Sequence, residues 1–273
     1  MSADEITRVA RRRRPAQTKR QQHDARMRKR EREGFGANHS VRGDMADLNF
    51  DVVKHNPVDA KRTAMRVHEQ PPDDETIALF TDASLKRAQV GGLGVVRVEP
   101  RVPPAAQQGA TPGAADDGGD KASKAYRLKV VTSSLFLARH RSSDCPIKVP
   151  VLDSEEVELM ADLKAFKYAC YEAEARKNRG LTTRRVWIFG DCLDGLDKVR
   201  LYREGDSSWE RHRYAYILRQ ILECARKLKE LGVYVKCHWV PGHAGVPANE
   251  CADYVAGKVA AGEKWTSQRV YRF

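Results

Sequence analysis

No stretch of this 273-residue chain is apolar for long enough to cross a membrane. Its apolar runs, such as Val95-Val96, Val149 to Leu152 and Val186 to Phe189, are strand-sized, whereas a spanning helix needs about 20 such residues. A mean hydropathy of -0.62 agrees with a soluble protein. A secretory signal is missing too, because Met1 to Ala10 leads into Arg11 to Arg14 with no apolar segment behind it. The six cysteines (Cys145, Cys170, Cys192, Cys224, Cys237, Cys251) form no CxxC pair and no Cys/His ladder of zinc spacing. They are expected to be reduced thiols, which places the protein in a reducing intracellular compartment, nucleus or cytoplasm.

What the chain has in excess is positive charge. It holds 49 Lys+Arg against 37 Asp+Glu, a net of +12, and residues 1–40 alone carry twelve Lys/Arg and five Asp/Glu, a net of +7. That segment has almost no apolar periodicity, so it cannot bury enough surface to offset its ordering entropy and is expected to be a disordered basic arm. Two readings of the arm stand side by side: a nucleic-acid or nuclear-import patch, and a solvated tail. Residues 41–74 are mostly polar with scattered apolar positions and read as a leader of uncertain structure. Pro100 to Ala125, rich in Pro, Gly, Ala and Asp, reads as a low-complexity insertion within the domain spanning 75–262, a tolerable arrangement because closure entropy grows slowly with loop length. Residues 263–273 are left as a carboxy-terminal tail.

From residue 75 onward the pattern is that of an α/β domain. Ile77 to Thr81 and Gly94 to Val98 read as strands joined by a Gly-bearing turn, and Tyr126 to Leu137 as a third, antiparallel strand. Asp153 and Ser154 offer N-caps with Glu156 as a capping-box partner, and Leu159, Leu163, Phe166, Cys170 and Ala173 recur at helical spacing, which predicts a helix over 154–178. A buried-type strand at Arg185 to Gly190 follows, then a short helix near 193–201, a long helix over 208–231, a strand at Val233 to Val240 and a last helix over 247–261. The order β-β-β-α-β-α-α-β-α predicts a mixed sheet of five strands flanked by helices.

In this order an acid falls at element after element. Asp82 ends the first strand, Glu158 sits one turn into the first helix, Asp191 ends the fourth strand and Asp253 lies in the last helix. Ligands gather at the carboxyl ends of parallel strands in open α/β sheets, so one site is expected. Four neighbouring carboxylates repel each other unless cations neutralise them. An all-oxygen donor set favours Mg²⁺, with Mn²⁺ as a substitute, and two such ions serve phosphoryl displacement. Taken singly, an Asp at a strand end is more often a cap or turn residue, as Asp116, Asp117, Asp120, Asp194 and Asp197 are read here.

At these same residues the sequence resembles type 1 ribonuclease H. Phe80 to Ser84 (FTDAS) looks like the family's first-strand motif, VELMADLKAFKYA is similar to its helix, VWIFGDCLDGL follows its strand-ending segment, and VKCHWVPGHAGVPANECADYVAGKVA matches its most specific block, with Gly-His-x-Gly, Asn-Glu and an Asp ten residues after the His. The resemblance covers 75–262, roughly two-thirds of the chain. It implies the ribonuclease H-like fold and metal-dependent cleavage of the RNA strand of RNA/DNA hybrids, yielding 5′-phosphates, by two Mg²⁺ ions held by Asp82, Glu158, Asp191 and Asp253. It implies a mobile catalytic His243 on a loop where Gly242 and Gly245 permit unusual backbone geometry, substrate contacts from Ser84 and Asn249, and a supporting Glu250. His238 reads as structural. Cys192 and Leu193 stand where the family carries Ser and a polar residue, and residues 202–212 are too short for the basic helical handle of the bacterial enzymes. Grip on nucleic acid is therefore assigned to the arm and to Arg211, Arg213, Arg219, Arg226, Lys227 and Lys229, which read equally as a solvated face. A monomer is expected, with nucleic acid as partner and no membrane or obligate protein partner. Two alternatives stay open: a retroelement-derived domain of this fold acting on another polynucleotide, and a non-catalytic hybrid-binding protein.

Overall fold

The computed structural model describes residues 44–86, 90–100, 126–137 and 153–263, all within one compact unit, 39–273. The basic arm, all but Pro100 of the low-complexity insertion, Cys145 and the tail from 264 lie outside the described residues. After a 3-10 turn at Asp44–Asp47 come β1 (Phe50–Val53), α1 (Pro57–Glu69), β2 (Thr76–Lys86), β3 (Val90–Pro100), β4 (Tyr126–Leu137), α2 (Ser154–Asn178), β5 (Arg185–Gly190), α3 (Leu193–Leu201), the single-turn α4 (Ser207–Glu210), α5 (Ala215–Glu230), β6 (Tyr234–Trp239) and α6 (Pro247–Ala260). Among the described residues no helix is long and apolar enough to cross a membrane.

The sheet order is β1-β6-β5-β2-β3-β4. β2, β3 and β4 pair antiparallel, and β5 and β6 run parallel to β2, which is the expected ribonuclease H-like arrangement. It has one more strand than expected: β1 pairs parallel with β6, Phe50 opposite Val235 and Val53 opposite His238. A four-residue strand is too short to show a period of two, and its pairing satisfies the backbone groups at the β6 edge. Phe50 anchors it against Phe166 of α2, ring centroids 6.1 Å apart.

Residues 41–74, read as a leader of uncertain structure, also supply α1. Asn56 caps it by accepting the Asp59 N–H at 3.0 Å, Pro57 occupies its first turn, and Ala60, Ala64, Val67 and His68 are buried. Three of these four are small or polar, so the helix offers few large apolar residues to mark it in the sequence.

The turn read between the first two strands is a correction: Gly91 and Gly92 lie with Gly94 inside β3, where Gly92 and Gly94 let α6 approach. A Cβ on Gly92 would fall 2.0 Å from the Ala256 carbonyl oxygen, and one on Gly94 2.3 Å from that of Ala252. On the α1/α6 face of the sheet, Ala78, Phe80, Val96, Val98, Phe189, Val255 and Val259 form one buried cluster, with Phe80 stacked on Phe189 at 4.5 Å. Burying a phenylalanine of this kind stabilises by about 1.5–3 kcal/mol.

The helix expected over 208–231 is broken. Its first turn is α4, and α5 starts at Ala215, because residues between them are held by tertiary contacts. The Tyr214 hydroxyl donates to Asp153 Oδ2 at 2.7 Å, and Arg213 pairs with Asp153 and Glu156 at 2.8 and 3.3 Å. Both acids belong to the start of α2. Asp153 caps that helix as expected, accepting the Glu156 N–H at 2.7 Å. The Glu156 side chain turns instead to Arg213 and to the Tyr216 hydroxyl, which donates at 2.9 Å.

Candidate active site

β2 and β5 run side by side with Thr81 opposite Gly190, so the next residue of each, Asp82 and Asp191, emerges at the same edge of the sheet. The second turn of α2 brings Glu158 to them, and ligand oxygens of Asp82, Glu158 and Asp191 lie within 4.8 Å of one another. Asp82 is buried. Burial, then the charges of Asp191 and Asp253, push its carboxyl well above the ordinary carboxylate range. Glu158 is pushed well above as well, by burial first and then by Asp82 and Asp191. The backbone at Asp191 is pinned by the Trp239 indole N–H, which donates to its carbonyl at 3.0 Å.

A second group forms the lip of this site. His243, Glu250 and Asp253 also bring ligand atoms within 4.8 Å of one another, with His243 Nδ1 3.6 Å from Asp253 Oδ2. Asp253 thus stands with His243 and Glu250 on the loop and α6, while its charge reaches Asp82 and Glu158. His243 is exposed and itself holds a positive φ of 54°. Gly245 has φ 75° and its N–H donates to Glu250 Oε1 at 3.0 Å. Gly242 has no positive φ, which corrects the role expected for it. Its need is space, since a Cβ there would lie 2.5 Å from Asp191 Oδ2.

The start of α6 has no side-chain cap from Val246. The Ala248 N–H donates to His68 Nε2 at 3.2 Å, and His68 Nδ1 lies 3.0 Å from the Ala64 carbonyl. A buried histidine of α1 therefore caps the helix that bears Asp253. Sequence reasoning missed His68, because its partner lies 180 residues away. It also missed Asp162, a further buried acid one turn beyond Glu158, pushed up to about 7 chiefly by burial.

The remaining candidates separate by exposure. Ser84 is half-exposed two residues beyond Asp82, on the same strand face. Asn249 is buried, 2% exposed, and its Oδ1 has no hydrogen-bond partner among the described residues. His238 is buried, stacked on Phe189 at 4.8 Å, and burial pushes it down to about 4. Cys192 begins α3 without a side-chain cap bond, and burial followed by the Glu158 charge pushes its thiol well up. Cys170, Cys192, Cys224, Cys237 and Cys251 are all free thiols.

The basic residues expected to grip nucleic acid on the long helix are largely engaged by acids. Besides Arg213, Arg219 pairs with Glu210, Arg226 with Glu204 at 2.6 Å and Lys227 with Glu174 at 2.8 Å, while Lys229 donates to the Asp47 carbonyl at 2.6 Å. Four of the six, Arg213, Arg219, Arg226 and Lys227, thus face a carboxylate.

The donor set fits a divalent cation. Asp82 and Glu158, whose ionised forms burial and neighbouring charges disfavour, converge with Asp191, an arrangement that a hard cation relieves, and Gly242 leaves the Asp191 oxygen uncovered by any side chain at that position.

No protein-family model matches the chain, and no curated protein matches its sequence. Solved structures do match. LC9-RNase H1, described as a type 1 RNase H with the type 2 active-site motif, is 20% identical over 71% of this chain and 76% of that one, with a TM-score of 0.41. A foamy viral protease-reverse transcriptase solved with dsDNA is 14% identical over 68% and 95%, TM-score 0.37. The amino-terminal RNase H domain of rv2228c from Mycobacterium tuberculosis is 13% identical over 68% and 96%, TM-score 0.35. These are likenesses of fold, and the strand order and register above carry the assignment.

Proposed function

We propose that this chain is a metal-dependent endonuclease that hydrolyses the RNA strand of RNA/DNA hybrids, leaving 5′-phosphate and 3′-hydroxyl ends. The observation that carries the reading is the convergence of Asp82, Glu158 and Asp191 from three separate elements to within 4.8 Å, with Asp253 and His243 at the rim. Bound among these acids, a pair of Mg²⁺ ions, or Mn²⁺ in their place, supplies Lewis-acid stabilisation of an in-line phosphoryl displacement. Asp82, Glu158 and Asp191 would hold the cations, with Asp253 at the rim of the same site.

His243 is proposed to move a proton at the reacting phosphate, since its exposed ring is oriented by Asp253 and its loop is fixed to α6 through Gly245 and Glu250. Ser84 and Asn249 are the polar groups proposed to meet the sugar-phosphate chain and its 2′-hydroxyl. Discrimination for the hybrid would follow from 2′-hydroxyl contacts and helix shape more than from base edges. The test is cleavage of a labelled RNA/DNA hybrid beside double-stranded RNA and double-stranded DNA, with and without Mg²⁺. Mg²⁺-dependent cuts in the RNA strand of the hybrid alone support the proposal; binding without cleavage in Mg²⁺ or Mn²⁺ would reduce it to a hybrid-binding protein.

A further inference from the structure

Behind the three carboxylates, one buried hydroxyl joins the elements that carry them. Thr81 Oγ1 lies 2.8 Å from Asp162 Oδ1 and 3.2 Å from the Phe189 carbonyl oxygen. Thr81 immediately precedes Asp82 on β2, Phe189 stands two residues before Asp191 at the end of β5, and Asp162 lies one turn beyond Glu158 on α2. Every member of the acidic group is thus tied, through at most one helical turn of its own backbone, to the same oxygen. Thr81 and Asp162 are 2% and 4% exposed. Gly190 keeps the space open: a Cβ there would lie 2.9 Å from Thr81 Oγ1 and 3.3 Å from Asp162 Oδ1.

The chemistry of the contact is specific. A threonine hydroxyl has one proton and can also accept. The Thr81 hydroxyl donates to Asp162 Oδ1 and lies within reach of the Phe189 carbonyl oxygen as well. Burial raises the Asp162 carboxyl and the bond from Thr81 opposes that rise. A buried carboxyl is costly to keep unless its bonds are made, and packing alone between α2 and the sheet is met by the alanines at Ala161, Ala165 and Ala169 on the same helix. The acid is explained by what it holds.

We propose that Thr81 and Asp162 form a positioning clamp that sets the spacing of Asp82, Glu158 and Asp191 for a divalent cation. The inference rests on the metal-site reading given above. Neither residue touches the cation or the nucleic acid; both act through the carboxylates that do.

The test uses the full chain and reads Mg²⁺ binding by calorimetry alongside circular dichroism and cleavage kinetics. Thr81→Val removes the hydroxyl at constant shape, and Asp162→Ala removes the other partner. Each should keep the fold and weaken Mg²⁺ binding by about tenfold or more, the effect typical of losing a group that orients a metal ligand. The Mg²⁺ concentration for half-maximal turnover should rise in step, with KM for the hybrid unchanged at saturating Mg²⁺. Thr81→Ser keeps the donor hydroxyl and Asp162→Asn keeps an acceptor oxygen for it, so both should hold binding near the wild-type value. A folded Thr81→Val or Asp162→Ala protein with wild-type Mg²⁺ affinity overturns the clamp, as does an Asp162→Asn protein as impaired as Asp162→Ala, which would make Asp162 a charge and not a tether. Should Thr81→Val fail to fold, Asp162→Ala and its Asn partner decide the matter. Asp82→Asn separates the two readings: if it binds Mg²⁺ like the wild type the metal site itself is wrong, whereas its loss of binding beside an unaffected Thr81→Val sinks only the clamp.

Discussion

Asp82 sits where burial and the neighbouring charges of Asp191, Asp253 and Glu250 all oppose its ionisation, and a cation would make the ionised group tolerable there. Asp82→Asn or Asp191→Asn is therefore expected to abolish hybrid cleavage while leaving the circular dichroism spectrum and hybrid binding largely intact. Near-wild-type turnover of Asp191→Asn in Mg²⁺ would remove that residue from the metal site. His243 is different in kind, since it is exposed, faces Asp253 and lies at the rim. His243→Ala should slow turnover by about ten- to a thousandfold, the scale of a general acid/base contribution, with the Mg²⁺ requirement unchanged; a large shift in that requirement would make it a ligand. These residues were legible in the sequence because each ends or enters a recognisable element within a motif. Asp162 and His68 were not. A buried acid on an apolar helix face and a buried histidine in a helix with few large apolar residues have no local signature, and their partners Thr81 and Ala248 stand 81 and 180 residues away.

Among the elements, α2 was legible to its ends because its cap and its apolar repeat agree, and β5 because its run is bounded on both sides. β1 and α1 escaped for want of a long enough period or large apolar residues. The α4/α5 break escaped because Arg213 and Tyr214 bond to α2, a tertiary override that helical spacing cannot register. Gly91 and Gly92 of β3 were visible but misassigned to a turn: glycine marks a turn or a close approach equally, and at Gly92 and Gly94 the approach of α6 decides. That contact gives a prediction. Gly94→Ala would drive a Cβ against the backbone carbonyl of Ala252, which no side-chain rotation relieves, so it should destabilise by about 1–3 kcal/mol, the range for overpacking a tight core. Urea denaturation should show a lower midpoint with an unchanged slope, and cleavage should fall because α6 also carries Asp253. An unchanged midpoint would mean that the two elements separate more easily than their packing implies.

At the scale of the whole molecule, charge governs both stability and grip. Asp82 and Glu158 are raised well above their ordinary values and Asp162 to about 7 from 3.8. Each binds its proton more tightly folded than unfolded, so the stability these groups contribute is full below about pH 4 and is lost as pH rises through the folded values. Between about pH 7 and 8, above the range in which His238, pushed down to about 4, makes stability rise with pH, the protein in chelator should therefore lose thermal stability with rising pH, and Mg²⁺ should return it, by about 2.7 kcal/mol at a hundredfold excess over its dissociation constant. A melting temperature in chelator that is flat or rises across that window would contradict the buried acidic cluster. Grip follows from the other sign of charge. With most of the α5 cations paired to Glu174, Glu204 and Glu210, attraction for phosphates has to come largely from residues 1–40, whose net charge is +7 of the chain's +12. Counterion release makes such binding salt-dependent, with a log-log slope of about −0.9 per phosphate neutralised on B-form DNA, and it favours hybrid, duplex DNA and duplex RNA alike. Deleting residues 1–40 should weaken binding to all three, more at low salt than at high, and flatten the slope, while single-turnover cleavage at saturating hybrid stays near that of the intact chain. A salt titration of binding for both proteins, paired with single-turnover rates, checks this. An unchanged slope would return the grip to the folded domain, and a lost single-turnover rate would place the arm in the construction of the site itself.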